Sequence, residues 1–192
     1  GGTISGADSI KALSEVKYTL DGNWSDKVDR WVIEGSNAKE ATVDATGVVS
    51  AKVGGQSFTL AAYCGDTKLA SKEIQVTKNA TKLTISTNNE SAGENSWDIP
   101  LQITVRLTDE SESPVRGRNI TVNVKKNALV TKSLNGYTDE NGEFKPKLVK
   151  VDKIVGKIPV SASFEGDDAY LPCSASKNYE TKRQTGTLSY DN

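Results

Sequence analysis

The sequence predicts an all-β chain of two consecutive antiparallel β-sandwiches, and three observations carry that reading. Apolar residues alternate with a period of two along most of the chain, while the three-to-four spacing of an amphipathic helix is almost absent. Clusters of Gly, Asn and Asp punctuate these runs at short intervals, as turns between strands require. The alternation also ends in a polar run, residues 76–81, and restarts at Leu83 and Ile85. The boundary is therefore expected near residue 78, giving units of residues 1–78 and 79–182, with 183–192 as a tail or the start of a following domain. At 192 residues the chain is long enough for one or two real cores.

In the first unit Val16, Tyr18 and Leu20 share one face, followed by Trp31 and Ile33, by Phe58, Leu60, Ala62 and Cys64, and by Ile74 and Val76. Between them lie Asp21-Gly22-Asn23, Glu34-Gly35-Ser36, Thr46-Gly47, Gly54-Gly55 and Gly65-Asp66, where Gly or Asn takes the positive φ of a tight turn. This spacing predicts six or seven short strands. No Pro/Gly/Ser-rich spacer follows, so the expected junction is a hinge of a few residues.

The second unit holds the strongest alternation, Leu101, Ile103, Val105 and Leu107, with Gln102, Thr104 and Arg106 on the other face. Ile120, Val122 and Val124 repeat it after a turn at Pro114 to Gly117, and Ile158, Val160, Ala162 and Phe164 repeat it again. Asp139-Glu140-Asn141-Gly142, between Tyr137 and Phe144, carries the Asn-Gly hairpin signal. Pro159 conflicts with a central strand, since it has no N–H to donate, and is expected at an edge or with its ring nitrogen toward solvent. The spacing favours a Greek-key sandwich over a barrel.

Composition narrows the chemistry. A net charge of -1 with 24 basic and 25 acidic residues argues against a protein built to grip nucleic acid or anionic lipid. No apolar run approaches the length of a membrane span, so direct membrane insertion is not expected. With no histidine, histidine-based acid/base catalysis and histidine-ligated metals are removed together. Walker-type loops, Gly-x-Ser-x-Gly elbows, Cys-x-x-Cys pairs and Rossmann fingerprints are absent, so the chain reads as non-enzymatic. A start at Gly1-Gly2 without methionine suggests a processed or excised piece, and neither end reads as a signal peptide or anchor.

A few residues remain as candidates for binding. Asp139 and Asn141, and the pair Asp167-Asp168, offer oxygen donors that suit calcium, the one cofactor considered. The competing reading is that they cap turn amides, since neither stretch has the repeated Asp-x-Asp-x-Asp spacing of a cage. Trp31 falls on an inward face and is expected in the core. Trp24 and Trp97 sit among polar loop residues, where a ring either stacks on a sugar or partner protein or plugs a sandwich end. Cys64 is in phase with the buried face and is expected to be a small core residue, while a bridge to Cys173 would need the two Cα atoms within about 7 Å. Sequons occur at Asn23, Asn79, Asn89 and Asn119.

Residues 3–78 resemble the bacterial immunoglobulin-like group 2 domain through Thr3-Ile4-Ser5-Gly6-Ala7-Asp8-Ser9-Ile10, Trp31 to Ser36, Ala41 to Val49 and Ile74 to Thr77. Residues 81–180 are similar, more loosely, to the immunoglobulin-like repeats of invasin/intimin-type and archaeal adhesin-like proteins, through Pro114-Val115, Thr138 to Phe144 and Val160 to Tyr170. The resemblance implies two tandem immunoglobulin-like sandwiches, though neither unit holds the cysteine pair of eukaryotic immunoglobulin domains. It implies a structural or adhesive segment of an extracellular, cell-surface or secreted protein, acting as stalk, spacer or interaction module. Its partners would be a protein or glycan on a surface, or neighbouring copies in an assembly. The alternatives are a virion decoration or tail protein and an accessory carbohydrate-binding module. For Arg183 to Asn192 the readings are a further domain's first strand, a frayed end, or a strand donated to a neighbour.

Overall fold

A computed structural model describes residues 2–35, 37–88 and 96–183. The chain divides into two compact units, Gly1–Asn79 with Gly166–Leu171 and Ala80–Glu165 with Pro172–Asn192.

Nine strands build the first unit: β1 (Gly2–Ser5), β2 (Ser9–Lys11), β3 (Glu15–Lys17), β4 (Thr19–Gly22), β5 (Arg30–Glu34), β6 (Ala41–Val43), β7 (Val48–Ala51), β8 (Gln56–Cys64) and β9 (Thr67–Thr77). β3 and β4 are one strand interrupted at Tyr18, whose N–H donates to Gly47 O at 2.9 Å. The first part pairs with β7 and the second with β1, so β1, β3/β4, β7 and β6 form one layer. β9, β8 and β5 form the other, and β2 joins it beside β9 in parallel. Four strands against four, with the successive short strands β1 and β2 on different layers, is an immunoglobulin-like sandwich.

The period-two faces meet in its core, where Ile4, Ile10, Tyr18, Leu20, Val49, Phe58, Leu60, Ala62, Ile74 and Val76 are buried. Trp31 packs against this cluster but stays half-buried. Cys64 departs from its expected place. The register with β9 shifts at Ala62/Tyr63, where Leu69 of β9 is the extra residue, and Cys64, the last residue of β8, is half-buried at the hairpin end.

Six residues remote in sequence complete this unit, so the span 79–182 is not wholly a second-unit segment. Ala169 is buried in the first core. Gly54 N–H donates to Asp168 O, Asn79 N–H to Ala169 O and Leu171 N–H to Asn79 O, each at 2.8 Å. The Asn79 side-chain amide donates to Ala12 O at 2.8 Å and Ala169 O at 3.1 Å, which places this sequon in a half-buried, hydrogen-bonded position.

Among the described residues the second unit has seven strands: β10 (Thr81–Thr87), β11 (Ile103–Asp109), β12 (Asn119–Lys125), β13 (Thr131–Tyr137), β14 (Glu143–Phe144), β15 (Gly156–Phe164) and β16 (Cys173–Thr181). Sheet β10-β11-β14 faces sheet β13-β12-β15-β16, and the chain crosses between sheets after β11, after β13 and after β14, again an immunoglobulin-like Greek key. Leu101, Ile103, Val105, Leu107, Ile120, Val122, Val124, Ile158, Val160, Ala162 and Phe164 are all buried, as the alternation predicted.

Two details depart from the sequence reading. Asp139–Gly142 is a tight turn but not a hairpin of paired strands, because β13 belongs to the β12 sheet and β14 to the β11 sheet. Pro159 lies on β15, an inner strand, yet the ladder to β12 stops at Val160. Proline thus sits one residue past the point where its missing N–H would be needed.

Two buried polar residues of this unit are satisfied: Thr138 Oγ1 donates to Val115 O at 2.7 Å, and Thr181 Oγ1 to Ile154 O at 2.5 Å. Tyr179 is 1% exposed, and its hydroxyl has no hydrogen-bond partner among the described residues. A buried hydroxyl without a partner carries its desolvation cost uncompensated. Tyr179→Phe is therefore expected to raise the stability of this unit by about 1 kcal/mol. Urea unfolding reads it: an unchanged or lower midpoint would mean that the hydroxyl finds a partner in solution.

Candidate functional site

Trp24 stands on the β4–β5 connection and is 44% exposed. Ser25 N–H donates to Gly22 O at 3.3 Å and Lys27 N–H to Trp24 O at 2.9 Å, so this loop is two successive turns. It is tied to the β8–β9 hairpin at its far end. Asp29 N–H donates to Tyr63 O at 2.9 Å, Gly65 N–H to Asp29 Oδ2 at 2.8 Å and Arg30 Nη1 to Gly65 O at 3.1 Å. The Arg30 guanidinium also lies over the Tyr63 ring, 4.4 Å from its centroid, as a cation–π contact.

Beside Trp24 is a cavity of about 300 Å³ lined by Trp24, Cys64, Thr67, Lys68 and Leu69. Lys68 Nζ lies 2.9 Å from Glu34 Oε1, and Tyr63 OH donates to Glu34 Oε2 at 2.8 Å. The hydrogen bond from Lys68, then that from Tyr63, holds the Glu34 carboxyl below its ordinary range, and the same bond to Glu34 raises Lys68. Both are ionised at neutral pH and cancel at the cavity rim.

Trp97 is in a different setting. It sits in a 3₁₀ turn, Ser96–Asp98, half-buried, with its main-chain N–H donating to Lys182 O at 3.0 Å. Lys153 Nζ and Arg183 Cζ lie 5.5 and 5.4 Å from its ring centroid. A cavity of about 320 Å³ adjoins it, lined by Pro100, Lys150, Val151, Lys153 and the carboxylates Asp98 and Asp152. The two tryptophans that look alike in sequence therefore differ: Trp24 is the more exposed, while Trp97 fastens the turn to the end of β16 and carries cations.

The oxygen-rich loops are built as aspartate-capped turns. Asp139 Oδ1 accepts the N–H groups of Asn141 at 2.8 Å and Glu143 at 3.0 Å, and Asp109 does the same for Ser111 and Ser113, and Asp44 for Thr46 and Val48. In each the residue three after the aspartate has positive φ: Gly47 at 92°, Glu112 at 62° and Gly142 at 73°. Asp167 Oδ1 accepts the N–H groups of Ala169 and Tyr170, both at 2.9 Å, while Asp168 is engaged through its main-chain carbonyl. Asp139 and Asn141 share one turn, and Asp167 and Asp168 share another. Among the described residues no group of three or more Asp, Glu or Cys side chains converges.

This capping has a pH signature. The amides of Glu143 and Asn141 hold Asp139 below its ordinary 3.8, so the ionised form is favoured in the folded state. Its contribution is present above about pH 4 and is lost as pH falls through the folded value. In Asp139→Asn the amide oxygen still accepts both N–H groups but does not titrate. The expected result is that the second unit's urea midpoint falls less steeply below pH 4 than in the wild type; an identical acid limb would contradict the assignment.

Cys64 and Cys173 are both free thiols, each half-buried, and burial raises Cys173. The sequon at Asn89 and the tail beyond Arg183 lie outside the described residues.

No protein-family model matches the chain, and no curated protein matches it. Solved structures similar to it include a tetra-tandem repeat from the extending region of a large adhesion protein, at 16% identity and TM-score 0.47, covering 94% of this chain and 49% of that one. The Yersinia pseudotuberculosis adhesin InvE is similar at 17% identity and TM-score 0.34, covering 93% and 58%. The D00-D0 domain of intimin is similar at 10% identity and TM-score 0.39, covering 93% and 99%. The chain spans about half the length of the first two of these chains.

Proposed function

We propose that this chain is a non-enzymatic, tension-resisting segment of an extracellular surface protein, a stalk or spacer that holds an interaction module away from its attachment point. The observation that carries the reading is the parallel pairing of β2 with β9 in the first unit. β2 and β9 run side by side in register Ser9↔Gln75, Ile10↔Val76 and Lys11↔Thr77. Flanking bonds extend the ladder, Gln75 N–H to Asp8 O at 3.0 Å and Ala12 N–H to Thr77 O at 2.8 Å.

Two strands running the same way meet tension from opposite ends of their ladder. The pull then slides one past the other and loads the hydrogen bonds together, whereas peeling would break them one at a time. β1 lies ahead of β2 on the incoming chain and is itself held by four residue pairs to β4. Among the described residues of the second unit the first strand, β10, and the last, β16, lie in different sheets and share no ladder.

The test is to pull single molecules of the whole chain by its two ends. Unfolding residues 1–79 releases about 27 nm of chain and residues 80–183 about 35 nm, at about 3.4 Å per residue. The shorter release is expected at the higher force. Release of the longer segment at equal or higher force would overturn the tension-resisting role.

A further inference from the structure

We infer that the cavity beside Trp24 is a binding subsite for one neutral pyranose ring of an oligosaccharide. A stalk needs no such site, so this goes beyond the role proposed above. Trp24 keeps 44% of its surface exposed, whereas Trp31 and Trp97 are half-buried. Its loop is held in place by two turns and by three hydrogen bonds joining Asp29 and Arg30 to Tyr63 and Gly65, so little ordering is left to be done on binding.

The lining selects the ligand's chemistry. Trp24 and Leu69 supply an apolar wall, and Thr67 and Lys68 a polar rim. A pyranose matches that division, with C–H bonds on one face and hydroxyls around its edge. An apolar protein side chain would cover the wall and strip water from the rim without replacing its hydrogen bonds. The cavity of about 300 Å³ lies at the small end of ligand pockets, which suits one ring. Charge decides the remaining choice. Lys68, the one ionic group on the lining, is already compensated by Glu34 at 2.9 Å, so a carboxylate on the sugar gains little.

Cys64 lies on the same lining and reports occupancy. In the whole chain carrying Cys173→Ser, its alkylation by iodoacetamide is followed with cellotriose, maltotriose, mannotriose, triacetylchitotriose and trigalacturonate. At least one neutral trisaccharide is expected to slow the reaction saturably, about tenfold at ten times its Kd. Protection should vanish in Trp24→Ala, survive in part in Trp24→Phe and be unchanged in Trp97→Ala, each variant being checked for a native melting transition.

The inference is overturned if none of the four neutral sugars protects Cys64 at about 10 mM, a concentration that reveals binding as weak as millimolar. It is overturned equally if protection persists in Trp24→Ala, or if trigalacturonate protects better than every neutral sugar. None of these outcomes alters the pulling measurement, so the two readings stand or fall apart.

Discussion

Tyr18→Ala is expected to cost the first unit about 3–5 kcal/mol, as large-to-small changes at buried aromatic positions do. That is much of the stability of a small domain. Tyr18 has no exposed surface and sits where one strand passes from pairing with β7 to pairing with β1. Its hydroxyl donates to Ala7 O at 2.5 Å, and its ring lies so close to the Gly6 backbone that a Cβ there would be 2.4 Å from Cδ1. Tyr18→Phe removes the hydrogen bond alone and is expected to cost about 1 kcal/mol. Urea unfolding of both variants checks the assignment. Equal losses would mean that the hydroxyl, not the ring, is what the site depends on.

The second unit has a comparable point at Gly136. On β13 it is opposite Ile120, and a Cβ built on it would lie 2.1 Å from Cε1 of Phe144, a β14 residue in the facing sheet. The ring rests on bare backbone there, so Gly136→Val must push it out and is expected to cost about 3 kcal/mol. Combining Gly136→Val with Phe144→Ala should cost less than the sum of the two, because the second change removes what the first collides with. Strict additivity in denaturant unfolding would show that the two residues are not in contact.

Much of this architecture is written in the alternation. Leu101 to Leu107, Ile120 to Val124 and Ile158 to Phe164 are buried because a period-two strand can hide only one of its faces. Cys64 follows the same pattern on paper yet is only half-buried, because it ends β8 at the hairpin, where Leu69 of β9 is an extra residue opposite Ala62/Tyr63 that nothing in the β8 sequence announces. The Asn-Gly turn was legible as a turn, but the strands it joins part into different sheets, which is a property of the whole topology. Pairings remote in sequence were not legible at all. Neither the parallel contact of β2 with β9 nor the burial of Ala169 in the first core leaves a local mark.

At the candidate sites, residue type gave the chemistry and left the surroundings open. Trp24 and Trp97 have similar polar neighbours, and only the fold sets one beside an open cavity and the other beneath Lys153 and Arg183. Asp139 and Asp167 were legible as oxygen donors with amide capping as one of two readings; that Oδ1 of each does accept two backbone amides is set by the turn geometry.

The tension-resisting role of the β2–β9 ladder is tested most directly by removing one of its bonds and pulling again. Ala12 N–H donates to Thr77 O at 2.8 Å, and Ala12→Pro deletes that donor, while Ala12→Gly keeps it and loses only a methyl group. With both variants pulled by their ends, the glycine variant is expected still to release its shorter segment at the higher force. In the proline variant that force drops to or below the second unit's. An unfolding force for the first unit that is the same in Ala12→Pro and Ala12→Gly would contradict it.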